Sequence, residues 1–398
     1  MSHIAPLAAQ PAAASPLTSA CSGLGVTTQR EYGAPMTGPA TEPVADLLTA
    51  AEALALLAAS TDTVSPRGPL LAVRLDGATS EQLDALGAAT DSLAGVVVGV
   101  ASGDEEPTNG AGVPPNLDVL LTDRPDASPP WHTSAEGTAA ALARLAAGVA
   151  AAPQAAVTLV QVLRLGEGRS LDDALVAESL AYAMLQAGPA FGAWLASRPP
   201  PARPGGGLGA GGRPPVTLAR DGDLLRVTLD RPEVRNALDV TMRDALVEAF
   251  DLAARDPAIA RVELRGNGPD FCSGGDLREF GTVEDPPAGH LVRSARLPVR
   301  ALAGCADRVT ARVHGASVGA GIEVAALARH VVAAPGATFR LPEVAMGLVP
   351  GAGGTATIPR RIGRQLTAWM ALTAATVDAL TALRWGLVDA LDGGPADT

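Results

Sequence analysis

The feature that most constrains this chain is a strand–helix–strand pattern that occurs twice, once on each side of a Pro/Gly-rich stretch. Each copy begins with an alternating segment, "PLLAVRLD" (69–76) in the first and "DLLRVTLD" (223–230) in the second. A segment with helical spacing follows each of them, and a second apolar strand follows the helix. Strands joined in this way typically form right-handed, parallel β-α-β units. The pattern therefore predicts an α/β fold with two related bodies.

Two low-complexity segments set the predicted domain boundaries. Residues 1–44 mix Ala, Pro, Ser, Thr and Gly without periodicity and are predicted to be a disordered leader. The segment "RPPPARPGGGLGAGGRPP" (198–215) suits neither a helix nor a strand interior and is predicted to be a linker. The expected bodies are residues 45–197 and 216–398, and the first of them opens with helical spacing over 45–60.

The composition argues against several classes of function. The formal net charge of −12 disfavours a nucleic acid or an anionic membrane as the main partner. The three cysteines and five histidines show no ligand spacing, so neither a disulfide framework nor a bound metal is expected. No signal peptide and no apolar run of about 20 residues is found, and the chain is expected to be cytoplasmic.

A glycine-rich loop that leads into a helical run is the most informative local motif. In "HGASVGAGIEVAALARHVV" (314–332), three glycines and other small residues stand ahead of one carboxylate, Glu323. Glycine lets another group approach a backbone N–H closely, and the start of a helix exposes unpaired N–H groups. The loop is therefore suited to hold an anionic oxygen, either a phosphate or an oxyanion that forms during a reaction.

Five motifs in one order give the second body a specific resemblance. They are "RPEVRNAL" (231–238), "FCSGGDL" (271–277), "HGASVGAGIE" (314–323), "LPEVAMGLVPGAGGT" (341–355) and "ALRWGLVD" (382–389). With these motifs, residues 216–391 resemble the crotonase, or enoyl-CoA hydratase/isomerase, superfamily. The resemblance implies a crotonase-type (ClpP/crotonase) α/β spiral of β-α-β repeats, preceded in this chain by a partial crotonase-like α/β domain.

The resemblance also implies which groups carry the chemistry. The family binds an acyl-CoA thioester and stabilises an enolate oxygen with two backbone N–H groups, which match Gly275 and Ala320. Two glutamates of hydratases match Glu323, as the base that activates water, and Glu343, as the acid that protonates C2. The N–H of Gly351 would help to hold the water. The presence of both acids favours a hydro-lyase that catalyses the reversible syn hydration of a 2-enoyl-CoA.

Further positions are predicted to contact coenzyme A, which enters as part of the substrate, so that no separate cofactor is implied. These contacts are assigned to Arg235, Ala237, Ser273, Asp276 and Arg278. An arginine suits phosphate because its planar fork donates two parallel hydrogen bonds, but a solvated surface position explains each arginine equally well. Asp276 is also placed to cap a helix that would begin there.

Four other residues are given structural roles. Cys272 lacks an accompanying histidine motif, so we do not expect it to be a nucleophile. His314 precedes the glycine loop on an apolar strand and is expected to be a buried, hydrogen-bonded histidine. Trp385 is expected to lie in the core. Glu178, in "VAESLAY" on a predicted helix, is expected to face solvent, which is the usual position of an isolated glutamate.

The closing helices of the fold are predicted to come from the first body. A crotonase continues beyond the "WGLVD" motif into terminal helices, whereas this chain ends at "ALDGGPADT" (390–398). The segment 151–198 resembles those helices instead. The first body thus resembles a crotonase that has kept its opening β-α-β unit and its closing helices. We expect helices 151–197 to pack on the second body, within the chain or across an oligomer, and to complete its acyl-CoA pocket.

Several functions remain open at this stage. The same loops and acids would also serve isomerisation, decarboxylation or thioester hydrolysis of an acyl-CoA, in fatty acid or secondary metabolism. A non-catalytic partner of another crotonase is the alternative outside the enzymes. The resemblance implies a homo-oligomer, a trimer or a hexamer. The variable segment 279–302, which is expected to line the pocket, shows no pattern that identifies the acyl group.

Overall fold

Both predicted strand–helix–strand units form within the described part of the chain. The computed structural model describes residues 46–60, 68–102, 117–199 and 212–392. The predicted leader and most of the predicted linker therefore lie outside the described residues. The described residues belong to one compact unit that spans residues 40–398. The domain boundaries expected from the sequence stay predictions.

The first body is built on a parallel five-stranded sheet. Its strands are β1 (Leu47–Thr49), β2 (Leu70–Arg74), β3 (Val96–Ala101), β4 (Val119–Thr122) and β5 (His132–Thr133). Its helices are α1 (Ala50–Ala58), α2 (Ser80–Thr90), α3 (Thr138–Ala151), α4 (Pro153–Gly166), α5 (Leu171–Gln186) and α6 (Pro189–Ala196). The strands follow one another across the sheet in chain order, and all neighbouring pairs are parallel.

The first predicted helix is shorter than the apolar spacing over 45–60 indicates. Its opening residues form β1, which pairs in parallel with β2, and α1 begins only after Thr49. The side chain of Thr49 accepts a hydrogen bond from the N–H of Glu52, and the Glu52 carboxylate accepts one from the N–H of Thr49. This reciprocal cap sets the helix start, because it satisfies backbone N–H groups that the helix itself leaves unpaired.

The second body contains a six-stranded and a three-stranded sheet. Its strands are β6 (Val216–Asp221), β7 (Leu224–Leu229), β8 (Arg261–Gly266), β9 (Val309–Val313), β10 (Ala316–Val318), β11 (His330–Ala333), β12 (Thr338–Arg340), β13 (Val377–Asp378) and β14 (Ala390–Leu391). Its helices are α7 (Val240–Arg255), α8 (Pro286–Arg296), α9 (Pro298–Ala303), α10 (Ala320–Ala325), α11 (Gly354–Thr357), α12 (Pro359–Thr373) and α13 (Ala379–Trp385). The sheet orders are β14-β11-β9-β8-β7-β6 and β10-β12-β13.

The sheet of the first body is covered on both faces. All residues of β3 are buried, as expected for a parallel strand between two layers. Val96, Val98 and Val100 join a large core that continues into the second body. Val97 and Ala101 point the other way, into a smaller core beneath α1 and α2. One face of this sheet is therefore used to hold its own helices, and the other belongs to a core shared with the second body.

Helices α3 to α6 pack on the second body within the same chain, which is one of the two arrangements expected from the sequence. Helices α3 and α4 lie against α12, and α5 lies against α8 and α11. The approach of α3 to α12 is so close that a Cβ on Gly148 would collide with the carbonyl of Leu372. The shared core runs from Ala72 in the first body to Val388 in the second.

A buried ion cluster also joins the two bodies. Asp118, which directly precedes β4, is only 1% exposed. It accepts hydrogen bonds from Arg164 of α4 at 2.8 Å and from Arg364 of α12 at 3.3 Å, and from the N–H of Val97 at 2.8 Å. A buried carboxylate is tolerated when charge partners and N–H groups replace its water. The cluster therefore ties α12 to the sheet of the first body.

The helices were compared with the length and apolar character that a membrane-spanning helix requires. Among the described residues, no single helix has both the length and the apolar character to cross a membrane. The pair α3 and α4 meets the criteria of length and composition together, but the two helices are bent by 108°.

We expect Asp118→Asn to destabilise the protein strongly, because it removes the buried anion that Arg164 and Arg364 share and leaves Arg364 with only the exposed Glu167 as a carboxylate partner. Breaking a buried ion pair by removing one partner typically costs about 3–5 kcal/mol of unfolding free energy. Urea and thermal unfolding midpoints measure the effect. Asp223→Asn is the control, because Asp223 pairs with Arg261 on the exposed surface. Equal midpoints for the two variants would contradict the role assigned to the cluster.

Candidate active site

The two glycine loops expected to stabilise an oxyanion lie side by side. Cys272 and Ser317 form a parallel bridge, and the N–H of Val318 donates to the carbonyl of Cys272 at 3.0 Å. A Cβ on Gly274 would lie 3.0 Å from the carbonyl oxygen of Val318 and 3.9 Å from Cα of Gly319, so the residues directly before Gly275 and Ala320 are close neighbours. The structure therefore brings together the two backbone positions that the sequence pairs across 45 residues of chain (275 to 320).

The N–H of Gly275 faces the second loop. Gly275 is bridged in parallel to Leu238, and the bonds of this bridge are made by its neighbours. The carbonyl of Gly274 accepts from the N–H of Leu238 at 2.8 Å, and the N–H of Asp276 donates to the Leu238 carbonyl at 2.9 Å. Because peptide groups alternate in direction along a bridged segment, the N–H of Gly275 points to the opposite side, where the loop leads into α10.

The N–H of Ala320 is also directed away from regular hydrogen bonding. Ala320 is the first residue of α10, so its N–H is one of those with no partner inside the helix. The preceding residue, Gly319, has φ +48° and donates its own N–H to the carbonyl of Arg340 at 2.9 Å. The sharp turn at Gly319 is what allows the chain to leave β10 and start α10 at once.

Two buried carboxylates meet beside this turn. Glu323, on α10, is 2% exposed, and Glu343, which follows β12, is 8% exposed. A Cβ on Gly319 would collide with Oε1 of Glu343 and lie 3.7 Å from Oε1 of Glu323. Gly319 therefore meets two demands, a positive φ and free space for both carboxyl groups. The two acids paired by sequence motifs do converge on one point.

The carboxylate of Glu323 is held by the loop that precedes α11. Its Oε2 accepts hydrogen bonds from the N–H of Ala352 at 2.7 Å and from the N–H of Gly354 at 2.9 Å. Burial raises the pKa of Glu323 to about 7, although these two N–H groups favour the ionised form. Glu323 is therefore poised to exchange a proton near neutral pH, with Oε2 anchored and Oε1 next to Gly319.

Glu343 is in a different state. Within the part of the chain that the structure describes, no group hydrogen-bonds to its buried Oε2. Burial, and then the charge of Glu323, raise the pKa of Glu343 well above its ordinary value. A neutral carboxylic acid is the form that such surroundings favour at neutral pH, and it has a proton to donate.

Glu178 does not face solvent, so the expectation from its sequence context is wrong. It is 1% exposed and lies 175 residues before its hydrogen-bond partner Gly353. Its carboxylate accepts from the N–H of Gly353 at 2.7 Å and from the N–H of Thr355 at 2.8 Å. The local sequence misleads here because the face of α5 that carries Glu178 is covered by α11, which belongs to the other body.

Tyr182, one helical turn after Glu178, is a second site residue that the sequence analysis missed. Its ring occupies the space that a Cβ on Gly351 would need. The guanidinium of Arg293, on α8, lies 4.5 Å from the centre of the ring. Burial is the main cause that raises the pKa of Tyr182 above its ordinary value. The spacing of an acid and a tyrosine at i and i+4, within a mostly apolar part of the helix, is the signal that could have indicated them.

An aromatic cluster borders the first glycine loop. Phe191 and Trp194 of α6 stack with ring centres 5.8 Å apart, and Trp194 meets Phe280 edge-on at 5.8 Å. A Cβ on Gly275 would come within 3.0 Å of the Phe280 ring. Aromatic residues make up only 3% of the chain, so this concentration of three rings is notable. Helix α6 thus supplies part of an apolar wall next to a predicted oxyanion donor.

The residues predicted to contact coenzyme A fall on neighbouring loops. The carbonyl of Arg235 accepts from the N–H of Ser273 at 3.0 Å, and Ala237 follows two residues later. The Arg235 side chain is 70% exposed and lies 3.6 Å from Asp270. Arg278 is paired with Asp276 and remains partly exposed. Their role in binding coenzyme A stays a prediction.

Asp276 does not cap a helix, contrary to the expectation. A turn follows it, and the next helix in the chain is α8. Its Oδ1 instead accepts from the backbone N–H of Arg278 at 3.0 Å and from the Arg278 side chain at 2.9 Å. An aspartate that bonds a backbone N–H two residues on forms a local turn, which competes with a helix start.

The residues given structural roles behave mostly as expected. Burial raises the pKa of Cys272 to about 12, which opposes formation of a thiolate nucleophile. Nε2 of His314 lies 3.0 Å from the carbonyl of Gly268, but His314 is half-buried rather than buried. Trp385 lies in the core. Within the described ranges, no group of three or more His, Cys, Asp or Glu residues could hold a metal ion.

The chain is similar in sequence to several known proteins. The sequence model of the enoyl-CoA hydratase/isomerase family matches residues 220–395. The 2,3-dehydroadipyl-CoA hydratase of Escherichia coli (strain K12) is 36% identical over 182 residues, 46% of this chain and 70% of that protein. The "Probable enoyl-CoA hydratase" of Rhodobacter capsulatus is 42% identical over 163 residues, 41% of this chain and 62% of that protein.

A solved enoyl-CoA hydratase from Mycobacterium smegmatis is 31% identical, and the alignment covers 45% of this chain and 70% of that one, with a TM-score of 0.42. The matched segments span roughly two thirds of these relatives and less than half of this chain. With 36% identity over 70% of a curated member and the family's motifs in place, the chain belongs to the enoyl-CoA hydratase/isomerase family of the crotonase superfamily.

Proposed function

We propose that this protein catalyses the reversible syn addition of water to the double bond of a 2-enoyl-CoA. The observation that carries the proposal is the convergence of the Glu323 and Glu343 carboxyl groups at Gly319, beside the facing loops of Gly275 and Ala320. Hydration needs two proton transfers on one face of an alkene, and two acids at one point supply both.

The two backbone N–H groups activate the thioester. When a thioester carbonyl lies between Gly275 and Ala320, both N–H groups donate to its oxygen as it gains negative charge. Donors that are fixed by the fold need no reorganisation as charge develops, and losing one typically costs about 3–4 kcal/mol of barrier. Withdrawal of electrons through the carbonyl makes C3 electrophilic, which is what a water molecule requires for its attack.

The protons move between water, the acids and the acyl chain. Glu323 as a carboxylate takes one proton from water while the water oxygen bonds to C3. Glu343 as a carboxylic acid gives its proton to C2, and the C2–C3 double bond becomes a single bond. After this step Glu323 holds the proton and Glu343 is ionised. A transfer from Glu323 to Glu343 through a new water molecule restores both acids for the next cycle.

The surroundings of each acid support this division of roles. Two N–H groups donate to Glu323 and favour its ionised form, as a base requires. Glu343 has a buried oxygen without a hydrogen-bond donor among the described residues, which favours the protonated form that an acid requires. No metal or redox cofactor takes part in this proposal, and coenzyme A enters with the substrate.

Related reactions are the alternatives. An isomerase typically manages with one acid, so the meeting of two acids favours hydration over isomerisation. Decarboxylation and thioester hydrolysis of an acyl-CoA are the other reactions to be tested at the same site. The non-catalytic alternative predicts that changing either acid has no effect on turnover. The aromatic cluster of α6 favours an apolar acyl group near C2, and the name of the Escherichia coli relative adds an enoyl-CoA with a terminal carboxylate to the substrates worth testing. The oligomeric state and the cytoplasmic location remain predictions.

We expect Glu343→Gln to lower kcat for hydration of crotonyl-CoA by about 100-fold or more, because general acid catalysis typically contributes factors of 10²–10⁴. Loss of absorbance of the conjugated thioester measures turnover, with longer, aromatic and dicarboxylic enoyl-CoAs tested in parallel. Glu248→Gln, on the exposed face of α7, is the matched control. A wild-type protein that binds these thioesters and never consumes the alkene would overturn the proposed reaction.

We expect stability to fall as the pH rises from about 5 to 8, and to fall less in Glu323→Gln. The folded-state pKa of Glu323, about 7, lies above its ordinary value of 4.5, so its contribution is fully present below pH 4.5 and is lost as pH rises through 7. Thermal unfolding midpoints measured across this range test the expectation. His132, whose pKa burial lowers to about 4, acts in the opposite sense but equally in both proteins. Parallel curves would contradict the raised pKa.

A further inference from the structure

Two buried carboxylates hold the loop that carries Gly351, and they do so from opposite sides. Glu323 accepts from the N–H groups of Ala352 and Gly354. Glu178 accepts from the N–H groups of Gly353 and Thr355. Successive N–H groups over residues 352–355 thus point alternately to the two acids. Each carboxylate fixes two of the four N–H groups, so neither alone defines the loop.

Glu178 accepts more hydrogen bonds from this loop than Glu323 does. Besides the two N–H groups, the hydroxyl of Thr355 donates to its Oε2 at 2.7 Å. The loop also contains Gly353, with φ +111°, a backbone conformation that residues other than glycine rarely adopt. Because burial excludes water, the N–H groups of this loop have few other hydrogen-bond acceptors if the carboxylate is removed.

Helix α5 contacts the same loop at a second point. The ring of Tyr182 packs on Gly351, whose N–H is the predicted holder of the attacking water. Glu178 and Tyr182 are separated by one helical turn, so they lie on the same face of α5. The face of α5 that turns toward the second body therefore touches the loop at both of its ends, at Gly351 and at Thr355.

We propose that Glu178 is a positioning residue of the hydration reaction: it acts through the loop 351–355 to fix the carboxylate of Glu323 and the N–H of Gly351. The inference rests on the proposed function, since it concerns the same two groups. It assigns the first body a part in catalysis, because α5 reaches the site without carrying a group that contacts the substrate. A carboxylate does this where an amide cannot, since both of its oxygens accept and neither donates.

Charge adds a second connection between the two acids. Burial and the charge of Glu323 raise the pKa of Glu178 to about 8. The groups that face Glu178 electrostatically are Glu323 from α10, Glu343, Tyr182 on its own helix and Arg293 from α8. The donors from Thr355 and Gly353 act against this rise and favour the ionised form of Glu178, just as the N–H groups of Ala352 and Gly354 favour the ionised form of Glu323.

The decisive variant is Glu178→Gln, which keeps the size of the side chain but turns one accepting oxygen into a donating amide. One N–H of the loop then faces another donor. We expect kcat for crotonyl-CoA to fall between about 10- and 100-fold, as for small displacements of reacting groups, with KM changed less than about threefold. We also expect the acid limb of the kcat profile to move to higher pH, because a loosened loop weakens the N–H donors of Ala352 and Gly354 that favour the ionised form of Glu323, an effect that a loss of stability alone would not produce.

Three further variants separate positioning from general damage. Asp172→Asn removes an exposed charge from the same helix and is expected to keep kcat and the pH profile of the wild type. Thr355→Val removes the hydroxyl donor to Glu178 and is expected to lower kcat, whereas Thr355→Ser keeps that donor and is expected to restore it. If Glu178→Gln does not fold, as judged by circular dichroism, the two Thr355 variants still decide the question.

The outcomes distinguish this inference from the proposed function. An active wild type, with Glu178→Gln within twofold in kcat and with an unchanged acid limb, overturns the positioning role and leaves the hydratase proposal intact. A wild type without hydratase activity overturns the proposed function. In that case, hydrogen exchange of the peptide that contains residues 351–355 measures the hold of Glu178 directly. Equal exchange rates of this peptide in the wild type and in Glu178→Gln would then contradict the role of Glu178 in fixing the loop.

Discussion

The site depends on one constraint, that a buried carboxylate must replace its lost water with hydrogen bonds from the protein. Glu323 and Glu178 meet this constraint with backbone N–H groups of a single loop, which is thereby fixed. Glu343 meets it only in part, because its Oε2 has no partner among the described residues. Glu178 uses both of its oxygens to anchor the backbone, and Glu323 uses only Oε2. Oε1 of Glu323 and the carboxyl group of Glu343 are the acceptors that can accommodate a changing partner during a reaction.

The same constraint explains how the first body is fastened to the second. Asp118 lies between arginines of α4 and α12, and Glu178 lies against the start of α11. Each interaction joins a buried acid of the first body to groups of the second, Arg364 for Asp118 and the N–H groups of Gly353 and Thr355 for Glu178. The apolar contact between α3 and α12 supplies area, but these polar contacts set the register, since a shifted helix would leave a buried charge unpaired.

The sequence predicts those parts of the structure that depend on neighbours along the chain. The alternation of "PLLAVRLD" and "DLLRVTLD" locates β2 and β7, and the motifs locate the four groups of the expected oxyanion and acid site. Glu178 escapes prediction because its partners lie 175 and 177 residues away, and no local pattern reports that distance. Asp276 is misjudged for a different reason: an N-cap and a two-residue turn use the same hydrogen-bond acceptor at the same spacing from a backbone N–H.

The order of segments along this chain is compatible with the family's fold because packing depends on adjacency in space and not on order in sequence. Helices α3 to α6 precede the second body in the chain, and they pack on α12, α11 and Phe280. Once these helices serve the second body, the first body has no need of glycine loops or acids of its own. The contribution of α5 is geometric, since Glu178 and Tyr182 reach the loop backbone that holds Glu323 and carries Gly351, while α6 contributes apolar side chains next to Gly275. A substitution on the face of α5 that carries Glu178 and Tyr182 is therefore expected to affect turnover more than substrate affinity, which is the pattern that separates positioning from binding.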